Sequence, residues 1–146
     1  MLQFREIKEE DLSAIFYDKE LRSLVTIDTK GERVFAMIVE DDKKIVGGIS
    51  GSVLGKNAFV NSIVVKRNEQ ENLYKDGLYR ALINKLDLKG IDYLFAFDYD
   101  PTLENVGFKQ IDKDKPNNIC GPVINELNIK DNAYWIKIKN FFDKKK

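Results

Sequence analysis

The stretch Asn57–Leu88 reads NAFVNSIVVKR, then NEQENLYKD, then GLYRALINKLDL, and it decides the architecture. The first part has strand composition, with Val60, Ser62 and Val64 alternating with Phe59, Asn61, Ile63 and Val65. The second is a polar connection. The third is helical, with Leu78, Ala81, Leu82 and Leu86 at spacings of three and four. Gly90 follows its last turn, where a left-handed C-cap belongs. Asp76 is placed to cap the helix start, and Gly77 lets backbone come close to whatever lies in front of it. A strand and a helix joined this way, with orphan amides facing outward, suit an anion. An ordinary strand-loop-helix without a ligand satisfies the same pattern, because one glycine is a weak phosphate signal.

Working outward, Arg33–Glu40 (RVFAMIVE) and Lys44–Leu54 (KIVGGISGSVL) read as strands joined by tight turns to the one at Asn57, an antiparallel meander. Gly47, Gly48 and Gly51 suggest a bulge or a close neighbour. Ahead of them lie a short strand, Leu2–Ile7, and an amphipathic helix with an acidic start at Glu9, Glu10 and Asp11, breaking near Asp18. After the central helix, Ile91–Asp98 is a strand apolar on both faces, and a right-handed crossover pairs it in parallel with the Asn57 strand. Asp100-Pro101 opens a single helical turn ending before Gly107. Phe108–Asp112 and Ala133–Lys139 are further strands, and residues 141–146 (FFDKKK), ending in a lysine run, are a solvated tail. The order is β-α-βββ-α-β-(α)-ββ, an α/β mixed sheet with helices against it. With 146 residues and no repeat or linker, residues 1–146 are expected to form one domain.

Composition excludes several chemistries. Lys plus Arg and Asp plus Glu both number 24, so there is no basic field for general nucleic-acid binding. The absence of histidine removes imidazole bases, Ser-His and Cys-His nucleophiles and histidine metal ligands. A lone cysteine, Cys120, fits a reducing compartment, and with no histidine near it its thiolate needs a neighbouring cation. MLQFREIKEEDL lacks the apolar core of a signal peptide, and no apolar run approaches spanning length, so a cytoplasmic setting away from membranes is expected.

That element order, with these residues, resembles the GNAT superfamily of acyl-CoA-dependent N-acetyltransferases over nearly the whole chain. QFREIKEEDL looks like its opening strand and helix start, KKIVGGISGSV its third strand and SIVV its fourth. GLYRALI looks like the start of its coenzyme-binding helix, ENVGFKQI its lead into the sixth strand, and AYWIKI its closing strand. The resemblance implies a groove between splayed fourth and fifth strands. There the backbone of Ile63, Val64 and Val65 takes the pantetheine arm of acetyl-CoA as an added strand. It also implies that the pyrophosphate lies on amides around Lys75, Asp76, Gly77, Leu78 and Tyr79, with Lys75 and Arg67 adding charge. The chain departs from the family's loop at Tyr74, where a basic residue is usual, and at Tyr79, where a small one is. Leu103 stands where the family often has a tyrosine acid.

Asp98, Tyr99 and Asp100 end the presumed fifth strand where the groove opens. Asp98 is the candidate to take a proton from an acceptor ammonium through water, and Tyr99 to protonate the leaving thiolate. The competing reading makes Asp98 and Asp100 turn formers, with Asp100 capping the Pro101 turn. The expected function is acetyl transfer from acetyl-CoA to a primary amine of a small molecule or peptide. The alternative is a catalytically silent domain of the same fold used for binding or assembly. An exposed edge on the last strand offers a place for a homodimer to pair.

Overall fold

A computed structural model describes residues 2–24, 34–97, 100–110 and 134–138. The elements are β1 (Leu2–Glu6), α1 (Asp11–Phe16), a 3₁₀ turn (Arg22–Leu24), β2 (Val34–Asp41), β3 (Lys44–Leu54) and β4 (Asn57–Val65). There follow α2 (Glu71–Leu88), β5 (Tyr93–Ala96), α3 (Pro101–Val106), β6 (Lys109–Gln110) and β7 (Tyr134–Lys137). The strands form one mixed sheet in the order β1-β2-β3-β4-β5-β7-β6. β1 to β4 are a meander, β4 and β5 pair in parallel, and the remaining pairs are antiparallel. This is the mixed α/β architecture that the sequence predicts. β7 lies between β5 and β6. The edge expected to be free therefore carries β6 at Tyr134 and Trp135.

α2 covers one face of the sheet. Tyr74, Leu78, Leu82 and Leu86, four residues apart, are all buried against Phe35, Met37, Val39, Ile49 and Val60. Each such side chain contributes roughly 1.5–3 kcal/mol by leaving water. The opposite face carries a smaller cluster of Ile15, Leu21, Leu24 and Ile38. There the α1 region is tied down by Asp11, whose carboxylate accepts from Arg5 Nη1 (2.8 Å) and Nη2 (3.0 Å) and from the Lys8 amide (2.7 Å). Arg5 also donates to Glu40. Asp11 is thus a buried anchor rather than just an acidic first-turn residue.

Two ends of α2 teach opposite lessons. At its C-terminus Gly90 (φ 77°) adopts the left-handed conformation. The Gly90 amide donates to Asp87 O (3.0 Å) and the Ile91 amide to Leu86 O (3.0 Å), a Schellman motif with Ile91 buried beside Leu86. The sequence predicts this end. At the other end the helix begins at Glu71, not at Gly77. The polar connection folds into helix because Tyr74 extends the Leu78–Leu82–Leu86 row. Asn68 starts the turn, its Oδ1 accepting from the Gln70 amide (2.7 Å) and its carbonyl from the Glu71 amide (3.2 Å).

Candidate active site: a cleft between diverging parallel strands

β4 is paired with β3 from Asn57 to Val65, but with β5 only at Asn57, Ala58 and Phe59. Beyond Phe59 the parallel strands part. A bulge in the β3–β4 ladder falls at the same point: Ser50 faces Ser62 while Gly51 faces Val60, which leaves Asn61 as the extra residue. A bulge of this kind re-aims side chains and raises local twist. Gly51 permits it, because a Cβ there would lie 1.9 Å from the Phe59 carbonyl oxygen.

The opening is a cleft of about 280 Å³. β4 supplies Val60, Asn61, Ser62 and Ile63, α2 supplies Lys75 and Tyr79, and Ala96, Phe97 and Asp100 close the β5 side. Lys75 and Tyr79 reach it together because they are one helical turn apart. Tyr79 is buried and packs edge-to-face on Phe108 (5.5 Å), so it forms a wall of the cleft and does not plug it. Phe59 stacks on Phe95 (5.3 Å) and Phe97 (6.2 Å), which fixes the strands where they separate.

Lys75 Nζ donates to Asp100 Oδ2 across the cleft at 2.7 Å. The other carboxylate oxygen, Oδ1, accepts from the Thr102 amide (2.8 Å), so Asp100 is both the N-cap of α3 and a cleft residue. Burial pushes the Asp100 carboxyl up. The Lys75 ammonium and the bonds from Thr102 outweigh this and hold it below the ordinary carboxylate value. The cleft at neutral pH therefore holds a fixed carboxylate with an ammonium on it.

The structure sorts the residues predicted for the site. Ile63 lines the cleft. Val64 and Val65 lie on the length of β4 unpaired by β5 but turn to the two cores. Lys75 and Tyr79 line the cleft through their side chains. Arg67 is exposed on the β4–α2 connection and is not among the cleft-lining residues. Asp76 does not cap the helix: it lies in the second turn and accepts from Arg80 Nε at 2.9 Å. Gly77 faces Phe4 of β1, whose Cζ would be 2.0 Å from a Cβ, so its close neighbour is a ring of the protein itself. Leu78 is in the core, and so is Leu103. The amides of residues 75–79 lie inside the helix, where backbone donors go to carbonyls four residues back. So placed, they differ from the exposed loop amides that the resemblance implies. Asp98, Tyr99 and Cys120 lie outside the described residues. Asp100 proves to be the capping residue of the competing reading, and it is also in the cleft. Val60, Asn61, Ser62, Ala96 and Phe97 also line the cleft, and no sequence pattern marks them for it. Gly51 marks the bulge without locating its partner.

No protein-family model and no curated sequence matches the chain. Solved structures do match. The ribosomal-protein-S18-alanine N-acetyltransferase from Escherichia coli superposes with a TM-score of 0.66 at 16% identity, covering 94% of each chain. A GNAT-family acetyltransferase from Staphylococcus aureus Mu50 gives 0.65 at 14% identity, covering 94% of this chain and 99% of the other. The PaiA N-acetyltransferase from Thermoplasma acidophilum, in complex with coenzyme A, gives 0.64 at 13% identity, again over 94% and 99%. The chain therefore has the GNAT acetyltransferase fold.

Proposed function

We propose that this protein transfers an acyl group, acetyl in the simplest case, from a CoA-type thioester such as acetyl-CoA to a primary amine of a small molecule or peptide. The observation that carries this reading is the parting of β4 and β5 after Phe59. A parted pair of parallel strands leaves main-chain donors and acceptors of Val60–Ile63 without a partner from β5. The amide-bearing pantetheine arm is the right shape and polarity to take their place as an added strand. An amine entering the cleft beside it would meet the thioester carbonyl at close range, and holding two reactants in line is a large part of such catalysis.

Asp98 is proposed to accept the ammonium proton through water and Tyr99 to protonate the leaving thiolate. Phe97 and Asp100, which flank them in the chain, both line the cleft. Asp98→Asn is expected to lower turnover while leaving donor affinity nearly unchanged. Unchanged turnover would return Asp98 to a turn residue.

A second reading has its own observation. Leu103, at the position where the resemblance places an acid, is fully buried in the core. A catalytically silent domain of this fold would bind the thioester without turning it over. Calorimetry with acetyl-CoA and mass spectrometry of a primary-amine panel test both readings. Binding with acetylated amine supports the transferase, binding without product supports a silent thioester-binding domain, and no heat at millimolar thioester removes the transferase.

A further inference from the structure

We infer that the donor is held by its pantetheine arm alone, with no recognition of the nucleotide pyrophosphate. This inference rests on the proposal that a pantetheinyl thioester enters the β4–β5 cleft, and it specifies which part of that donor the protein reads. Four independent features support it. First, the segment expected to cradle the pyrophosphate is helix, so its amides are already spent on carbonyls one turn back.

Second, the true N-terminus of α2 is partly taken up by the chain itself. Asn68 accepts from the Gln70 and Glu71 amides, and the Tyr74 amide returns to Gln70 O (3.0 Å). Glu71 occupies the first helical position and Glu69 precedes it, so carboxylates already stand where the helix dipole favours an anion. Third, Tyr74 takes the place of the basic residue. It is buried, with its hydroxyl donating to Asp41 Oδ2 (3.1 Å), and it has no charge to offer a phosphate. Fourth, the Lys75 ammonium lining the cleft is engaged by Asp100 at 2.7 Å. A dianionic pyrophosphate placed here would compete with fixed carboxylates and gain few donors. The arm, by contrast, finds the edge of β4 that β5 leaves unpaired, whatever it is attached to.

Acetyl-CoA and S-acetylpantetheine, which has the same arm and thioester but no phosphate, separate the cases when titrated into the intact protein. Affinities within about threefold of each other are expected, and Lys75→Met should shift both equally. Two charge-assisted hydrogen bonds to the pyrophosphate would instead favour acetyl-CoA by about 100-fold or more. That preference, or a Lys75→Met effect confined to acetyl-CoA, overturns the inference. Failure of both thioesters to bind at millimolar concentration overturns the proposed function beneath it.

Discussion

The two edges of β4 are treated in opposite ways by its neighbours. Along β3 it is paired over its whole length, through the bulge at Asn61, down to Val65 facing Gly47. Along β5 it is paired for three residues and then abandoned. The composition of β4 is the same for both edges, so the difference comes from the partners. β3 is long and carries glycines where β4 comes too close for a side chain. β5 is four residues long, and Asp100 already caps α3, which starts at Pro101. A proline at the first helical position needs no donor and cannot extend a ladder. An opening in a sheet can thus be made by ending one strand early.

The largest effect should come from attacking the closed edge. Gly51→Val would put a side chain onto the Phe59 carbonyl and the Phe35 ring. It should destabilise the fold by about 3 kcal/mol, read as a fall in urea midpoint at unchanged m-value. A loss under about 1 kcal/mol would mean the β3–β4 ladder has more room than its register implies.

Next comes Gly77, which separates a packing role from a ligand role. Gly77→Ala should cost about 1–2 kcal/mol by displacing the Phe4 ring, despite the gain in helix propensity. In a Phe4→Ala background the same change should become stabilising by about 0.5–1 kcal/mol. Donor affinity should not change in either background. If Gly77→Ala leaves stability intact but abolishes donor binding, the phosphate reading of Gly77 returns.

The smallest effects belong to the open edge, at Asp100. Asp100→Asn keeps the cap of α3 and removes the pair with Lys75, at a cost of about 0.5–1 kcal/mol. Asp100→Ala loses the cap as well, for about 1 kcal/mol more. The folded carboxyl titrates below its ordinary value, so its contribution is complete above the unfolded pKa, near 3.8, and fades as pH falls through the folded one. The stability gap between wild type and Asp100→Asn should be full at neutral pH and shrink on acidification below about pH 4. A gap that widens in acid would show that Asp100 is protonated in the fold.

The same contrast explains what could be read from the sequence. The meander was legible because its strands alternate and its turns are short, and the crossover because a parallel pair needs one. The Gly90 cap was legible because a left-handed C-cap favours glycine. The start of α2 is hidden in the sequence because Asn68–Asp76 is polar, although Tyr74 stands four residues before Leu78 and continues the buried row. Phe4, the neighbour of Gly77, belongs to the first strand, and no local pattern announces that contact. The bulge at Asn61 depends on the register between two strands, which neither strand encodes by itself.

Amide hydrogen exchange across β4, followed by NMR with and without S-acetylpantetheine, bears most directly on the cleft. The account predicts slowed exchange among Val60–Ile63 and no change in β1 or β2. Protection confined to residues outside the cleft, with Val60–Ile63 unaffected at saturating ligand, would contradict it.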